Sequence, residues 1–353
     1  MTITLHVGMG KCGSSALQRF LSTNSKIETS KNKKLLYVVI TKDLKLFYGT
    51  RLSWFYRLSR RDYLASAEFR FWEKNGTKTK KLLERIKVLS KHYHIVLSNE
   101  GWISDPDKDY AVSLFDELNL KVNLLMYVRP PCTWLNSAWW QWGAWTGAPF
   151  DKWLKQNTKR VQYASLIESW KNNDCIREVN IRALPANIID DFCEIFQVTK
   201  HSVKSVEAQL NSSLPNAVLR LFQRNRQLRP SAHQASVDFT LMRLLTLQGK
   251  PDWVLSRGNI ETILNETKRS NRALLKMVND DVRASIEQDD RWWQTDAYHK
   301  LNYQCPDYPN LDPIELELLT VKLIQQLAML EQQNKRYKRL LWPLHVVKQV
   351  LKR

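Results

Sequence analysis

Short apolar runs alternate with longer amphipathic stretches over the first half of the chain. Five runs are apolar, or nearly so, on both faces: Thr2–Val7, Leu35–Ile40, Tyr93–Ser98, Val122–Val128 and Val179–Leu184. Strands of this kind are typical of parallel sheets with helices on both sides. Apolar residues at helical spacing fill the intervals, in Ser14–Leu21, Lys80–Lys91, Asp109–Leu118, Thr133–Trp145 and Gln162–Trp170. The alternation predicts a three-layer α/β/α core around a central parallel sheet of about five strands.

The second half of the chain has a different pattern. From about Ile188 onward the strand signal stops and apolar residues recur at helical spacing. We therefore expect an α/β core over residues 1–205, a helical lid on the substrate side over residues 206–310, and a final helix with a tail over residues 311–353.

The final segment carries apolar residues in steps of three and four. The series is Leu316, Leu319, Leu323, Leu327, Leu330, Asn334, Tyr337 and Leu341. Such a series is an approximate heptad seam. It favours either a coiled-coil homodimer or one long helix that packs on its own domain, and the sequence leaves both open.

The charge of the chain indicates an anionic partner. Lys and Arg number 54 against 35 Asp and Glu, a net charge of +19. Summed charge of this size attracts nucleic acid, acidic membrane, acidic polysaccharide or a polyanionic cofactor, and does not choose among them. The tail Lys335–Arg353 holds seven Lys or Arg and no acidic residue, beside aliphatic and aromatic residues. It fits an acidic membrane surface or, alternatively, a solvated helix end.

Cysteine usage and the apolar runs bear on location. The five cysteines form no Cys-x-x-Cys pair, which favours a reducing compartment. The start "MTITLHVG" has no basic region followed by an apolar one, and no run approaches the roughly 20 residues of a membrane span. We expect a cytoplasmic protein, at most peripheral on the inner face of the membrane. We expect no metal, because no His, Cys and Asp stand at ligand spacing.

The stretch "HVGMGKCGSSALQRFL", from His6 to Leu21, has the features of a phosphate-binding loop. Glycines let backbone amides approach an anion, and the following helix adds its positive N-terminal end. Ser14 and Ser15 supply hydroxyls, and Lys11 supplies a full charge. The order Lys11-Cys12-Gly13 lacks the Gly-Lys-Ser/Thr of nucleotide triphosphatases. The glycine spacing also matches a dinucleotide fingerprint, but no strand ends in an acidic residue about 20 positions later.

Two segments together resemble the sulfotransferases that use 3′-phosphoadenosine 5′-phosphosulfate. "GMGKCGSSALQRFL" is similar to their 5′-phosphosulfate loop, Lys-x-Gly-Thr/Ser-Thr/Ser-x-Leu-Gln. "MYVRPPCTWLNSAWWQW" is similar to their 3′-phosphate segment, a strand that ends in Arg with Ser eight residues later; here these are Arg129 and Ser137. The remaining likeness, to bacterial enzymes acting on glycans, covers "LSNEGW", "VQYASLIESW", "LNSSLPNAVLRLFQRN" and "RSNRALLKMV" and ends near Asn279.

The resemblance implies sulfuryl transfer to a hydroxyl or amine of a glycan or glycolipid. It assigns the binding of this donor to eight residues, with Lys11 on the leaving group: Gly10, Lys11, Cys12, Gly13, Ser14, Ser15, Arg129 and Ser137. Cys12 stands where the family more often has Thr. Glu100 follows the third predicted strand, at the edge where open sheets bind ligands, and we expect it to be the general base. His6 and His94 are weaker alternatives for that role.

Aromatic residues suggest the acceptor side. Six tryptophans lie within twenty residues, and one helix cannot bury all of them on one face: Trp134, Trp139, Trp140, Trp142, Trp145 and Trp153. We expect Trp102, Trp139, Trp140 and Trp142 to bind the acceptor, because flat apolar rings stack on sugar faces.

Three other functions stay open. The phosphate loop is compatible with a P-loop kinase or NTPase, although the triplet is missing. The charge is compatible with a non-catalytic membrane or nucleic-acid module, of which we do not expect the nucleic-acid form. Cys12 is compatible with a sulfotransferase fold whose activity has been lost.

Overall fold

The computed structural model describes residues 2–30, 33–59, 62–205, 214–232, 234–235, 237–238, 240–241, 249–307 and 313–350. For residues 200, 315 and 335–350 it describes the backbone alone. The side chains of the basic tail Lys335–Arg353, and the end of the predicted leucine seam, therefore lie outside the described residues.

Seven strands lie in this part of the chain, and five of them are the predicted ones. They are β1 Thr2–Gly8, β2 Lys26–Ile27, β3 Leu35–Ile40, β4 Leu46–Tyr48, β5 His94–Ser98, β6 Val122–Val128 and β7 Ile176–Ala183. The two short strands β2 and β4 carry too few residues for a periodic signal, and the sequence did not predict them. Both pair antiparallel with β3.

The α-helices of the described chain separate the strands and then fill the second half. They are α1 Ser14–Thr23, α2 Gly49–Phe55, α3 Phe69–Glu73, α4 Gly76–Leu89, α5 Lys108–Glu117, α6 Pro131–Gln141, α7 Phe150–Asn157, α8 Tyr163–Lys171, α9 Ile188–Ile195, α10 Asn216–Arg224, α11 Arg257–Leu275, α12 Asp280–Gln288 and α13 Pro313–Val350. Single turns of 3-10 helix include Trp102–Ser104 and Thr158–Val161.

The sheet order is β2-β3-β5-β1-β6-β7. Its five long strands, β3, β5, β1, β6 and β7, run parallel. Every residue of β3 is buried, as expected for a strand covered on both faces. The predicted α/β fold class is confirmed. Because β1 lies between β5 and β6, the segments that leave these three strands meet at one edge of the sheet.

Helix α1 is tied to the sheet by buried polar groups as well as apolar ones. Leu17, Phe20 and Leu21 are almost fully buried on its inner face. Gln18, one turn in, donates from Nε2 to Ser98 Oγ at the end of β5 (3.0 Å). This hydrogen bond satisfies a buried amide and fixes the helix above the end of that strand.

The chain divides into two compact units. The first holds the whole sheet and comprises Met1–Trp139, Ala148–Asn211 and Trp253–Gln304; the second comprises Trp140–Gly147, Ser212–Asp252 and Cys305–Arg353. The three-part division expected from the sequence stays a prediction.

Arg220 organises the second unit. Its guanidinium is 2% exposed and donates to Asp252 Oδ2 from both Nε (2.9 Å) and Nη2 (2.7 Å). It lies over the ring of Trp140, 4.9 Å from the centroid, and Nη1 donates to the carbonyl of Pro306. A buried charge needs such a full set of partners, so removing any of them would be costly.

Candidate functional site

The candidate site lies at the carboxyl edge of the sheet, where β1, β5 and β6 end side by side. The loop after β1 carries Lys11, the turn after β5 carries Glu100, and Arg129 directly follows β6. The parallel register of β1 with both neighbours brings these three segments to the same place.

Gly8 permits the close approach of β1 and the Glu100 turn. A Cβ at Gly8 would stand 2.6 Å from the Glu100 carbonyl oxygen, and its φ of +132° is one that side chains rarely adopt. The ladder between β1 and β6 is irregular at this point, between His6 and Gly8. The absent side chain therefore places the backbone of Glu100 directly against the start of the loop.

The loop itself winds through two left-handed residues, Lys11 (φ 65°) and Gly13 (φ 80°). Gly13 is the N-cap of α1 and has no side chain to accept a hydrogen bond from the first helical turn. Those backbone amides are thus available to an anion, with the helix end adding its dipole. A Cβ at Gly13 would also come within 2.9 Å of Ile188, at the start of α9.

The two serines of the loop have different roles in the structure. Ser14 is buried, and its hydroxyl donates to the carbonyl of Met9 (3.0 Å), so its one proton stays within the loop. Ser15 is half-buried, with its Oγ 3.3 Å from the hydroxyl of Tyr63. Of the two hydroxyls assigned to the phosphate, that of Ser15 is the accessible one.

Arg129 connects the end of β6 to the loop. Its Nη1 donates to the carbonyl of Lys11 (3.0 Å), and its Nε lies 3.3 Å from Thr133 Oγ1 in the first turn of α6. The carbonyl of Arg129 accepts from the buried hydroxyl of Tyr163 (2.8 Å). Ser137 lies four residues after Thr133, on the same face of α6, and is half-buried.

Charged groups surround the buried thiol of Cys12. Burial raises its pKa to about 12, Arg129 and Lys11 act in the opposite direction, and Glu100 adds to the rise. The thiol is therefore protonated and unreactive at neutral pH. Lys11, Glu100 and Arg129 therefore all act electrostatically on this one thiol.

Arg160 is a further charged residue of this site, which the sequence did not single out. Burial lowers the pKa of its guanidinium, and the charge of Glu100 opposes that change. It lies over the ring of Trp134, 5.4 Å from the centroid. Trp134 is fully buried and donates from Nε1 to the carbonyl of Gly10 (2.7 Å). The position of Arg160, directly before the "VQYASLIESW" segment, is a sequence signal that could have drawn attention to it.

The two candidate histidines differ in burial, since His6 is enclosed in the interior and His94 is half-buried. His6 is fully buried, with Nδ1 2.7 Å from Ser98 Oγ, and burial lowers its pKa to about 4. A neutral ring enclosed in this way is a structural group. His94 begins β5 at the opposite edge of the sheet, with Nε2 2.8 Å from Thr4 Oγ1.

The structure corrects the tryptophan assignment. Trp102 is fully buried, stacks on Phe69 at 4.8 Å and donates to the carbonyl of Ala67. Trp139 and Trp140 are 2% and 4% exposed. A ring enclosed by protein cannot stack on a sugar, so these three are core residues. Trp142 is half-buried and is the one of the four that retains an open face.

Comparison with protein-family models, with curated proteins and with solved structures gives no match to this chain.

Neither a group of metal ligands nor a membrane-spanning helix is present among the described residues. No three of their His, Cys, Asp or Glu side chains are grouped as metal ligands would be. None of the described helices combines the length and the apolar character that crossing a membrane requires.

Proposed function

We propose that this chain transfers a sulfuryl group from 3′-phosphoadenosine 5′-phosphosulfate to a hydroxyl or amine of a carbohydrate acceptor, a bacterial surface polysaccharide or glycolipid. The observation that carries the proposal is the hydrogen bond from Arg129 to the Lys11 carbonyl. It joins the two segments that resemble sulfotransferase phosphate sites, which supports one shared site for an anionic nucleotide. A nucleotide with one phosphate at the 3′ position and another at the 5′ position of its ribose suits two neighbouring phosphate sites.

In the proposed reaction, the acceptor oxygen attacks sulfur and forms a new S–O bond. The bond between sulfur and the bridging phosphate oxygen breaks, and adenosine 3′,5′-bisphosphate leaves with the electron pair. Lys11, with the amides of Gly13 and Ser14 and the hydroxyl of Ser15, would stabilise the charge that grows on that phosphate. The acceptor proton passes to the Glu100 carboxylate, whose backbone lies against the loop.

Arg160 has a supporting part in this proposal. Its guanidinium interacts electrostatically with Glu100 and would help to hold that carboxylate in the site. The Trp134 ring beneath the guanidinium holds it in place. Cys12, enclosed and protonated, would shape the loop and take no part in bond making.

Calorimetry with adenosine 3′,5′-bisphosphate and an assay with radiolabelled donor test the proposal. We expect the bisphosphate to bind without Mg²⁺, and label to pass to a member of a polysaccharide and glycolipid panel. Lys11→Ala should abolish transfer, whereas Lys91→Ala, an exposed lysine of the same unit, should leave it unchanged. Binding of Mg²⁺-ATP with no binding of the bisphosphate would contradict the proposal and favour a kinase or NTPase.

We also propose that the basic tail brings the enzyme to an anionic membrane surface. The support is its composition, seven Lys or Arg and no acidic residue in Lys335–Arg353. Deletion of these residues should release the protein from vesicles that contain phosphatidylglycerol. Equal sedimentation of the two forms with the vesicles would show that the tail is not the anchor.

A further inference from the structure

Helix α13 has two apolar faces; its own unit covers the start of the inner one, whereas Leu327 and Leu330 further along that face are exposed. The inner face packs on α10: Leu319 is 5% exposed, and Leu316 and Leu323 are half-buried. These are the first three residues of the seam expected from the sequence. Their burial shows that this part of the seam packs on its own chain.

The outer face of α13 is apolar and exposed. Leu318, Val321, Ile324 and Met329 are 60%, 45%, 61% and 54% exposed. A monomer seldom leaves such a row of large apolar side chains in water, because their burial is favourable. This second row was not part of the expected seam.

We propose that the outer face of α13 binds the same face of a second copy of this chain, as a parallel two-stranded coiled coil. The spacing fits: Leu318, Gln325 and Gln332 take heptad position a, and Val321 and Ala328 take position d. We name these five residues the outer seam. The polar glutamines at a fix register and strand number at a cost in stability.

The charges beside the outer seam select the parallel orientation. Position g of one helix faces position e of the next heptad in its partner, five residues further on. This rule pairs exposed Glu317 with Lys322 of the second copy, and Ile324 with Met329 of the second copy. The first pair is attractive and the second extends the apolar surface.

An antiparallel arrangement lacks this agreement. In a pair centred on Ile324, Glu317 would face Glu331 of the other helix and Lys322 would face Gln326. Like charges in these positions are repulsive, and the lysine loses its partner. Charge complementarity therefore identifies the occupant as an identical helix running in the same direction.

A charge exchange tests the proposal on the full chain. Sedimentation equilibrium should give a dimer for the wild type. Glu317→Lys alone and Lys322→Glu alone should each raise the dimer dissociation constant about tenfold, because each places like charges together twice per dimer. The double variant E317K/K322E should restore the wild-type value. A wild type that is monomeric at about 50 µM would overturn the proposal. So would a double variant whose dimer dissociation constant is no lower than those of the single variants.

Cross-linking tests the orientation. In a Cys305→Ser background, which removes an exposed thiol, Val321→Cys should form an intermolecular disulfide on mild oxidation, because position d faces its own copy in parallel register. Val88→Cys, at a comparably exposed valine on α4, is the matched control and should not cross-link. Equal cross-linking of the two variants would contradict the parallel seam.

Leu318→Lys tests whether the outer face of α13 binds a second copy of the chain or a membrane. The proposal requires this variant to be monomeric and to keep vesicle binding. A monomeric wild type whose vesicle binding is lost in Leu318→Lys would show that lipid covers this face, and would overturn the proposal. Neither result depends on sulfuryl transfer, so the dimer and the proposed function can fail separately.

Discussion

The Arg129 guanidinium holds the Lys11 carbonyl by a hydrogen bond of 3.0 Å. The two residues lie 118 positions apart in the chain, yet the order of β1 and β6 in the sheet makes them neighbours. The bond has a structural meaning, because the arginine holds the carbonyl of the left-handed residue Lys11 in place. A bound 3′-phosphate would compete for the same guanidinium, which has further donors to offer.

Replacement of Arg129 tests its role in phosphate binding. Arg129→Ala should lower the affinity for adenosine 3′,5′-bisphosphate, measured by calorimetry, by about ten- to a hundredfold, since charged hydrogen bonds are worth about 1.5 to 3 kcal/mol. Arg129→Lys should recover only part of this loss, because an ammonium cannot form the planar fork. Arg85→Ala, an exposed arginine on α4, serves as control. Unchanged affinity in Arg129→Ala would refute the 3′-phosphate assignment.

Substitution of Gly8 measures the contact with the Glu100 turn. Gly8→Ala should lower the free energy of unfolding by roughly 2 to 4 kcal/mol, from both the φ and the clash with the Glu100 carbonyl. Gly49→Ala gives the cost of an ordinary left-handed position without a clash, because Gly49 has a φ of +56° and no atom within 4 Å of its added Cβ. Its cost should stay near 1 to 2 kcal/mol. Equal losses in urea unfolding would show that the predicted clash is relieved.

Glu100→Gln separates chemistry from nucleotide binding. The amide keeps the shape of the side chain but cannot accept the acceptor proton, so kcat should fall about a hundredfold or more. Affinity for the bisphosphate should change less than threefold. Glu84→Gln on α4 should behave as wild type. Normal turnover in the Glu100 variant would remove it as the base.

His6 gives the fold a specific dependence on pH. Its pKa is about 4 in the folded protein, against about 6.5 in an unfolded chain. Above pH 6.5 the ring is neutral in both states and carries no difference. As pH falls from 6.5 towards 4, the unfolded chain binds a proton that the folded one does not, and the free energy of unfolding drops by up to about 3 kcal/mol.

The His6 variant makes this dependence measurable. His6→Gln keeps a donor for Ser98 and has no titrating group, so its urea midpoint should fall less between pH 7 and pH 5 than that of the wild type. A lower stability of the variant at pH 7 would not affect this comparison, because only the change of the midpoint with pH is compared. An equal fall of the midpoint in the two proteins would show that other groups dominate the pH dependence.

The apolar pattern of the strands was enough to predict most of the fold. The long strands β1, β3, β5 and β6 are buried almost throughout, so each is visible in the sequence as a mainly apolar run. The edge strand β7 is only partly buried, and its run was expected at Val179–Leu184, whereas the strand spans Ile176–Ala183. The short strands β2 and β4 depend on pairing with β3, which a local pattern does not encode. Lys11, Glu100 and Arg129 could be expected at one edge because each follows a parallel strand.

The tryptophans show where sequence reasoning ended. Density alone suggested a cleft, but rings can also pack on each other, as Trp139 does edge-on against Phe150 and Trp153. Arg160 was missed for the opposite reason. A single arginine in a polar turn has no pattern, and only the fold brings it to Trp134 and Glu100.

The cluster around Cys12 has a consequence for stability. Lys11 and Arg129 act on Cys12, and Arg160 acts on Glu100, so three cations stand near one carboxylate. A multivalent anion that binds these cations in the folded chain alone would couple its binding to folding. Sulfate or phosphate in a buffer would then raise the free energy of unfolding of this protein, and exchange into chloride would lower it.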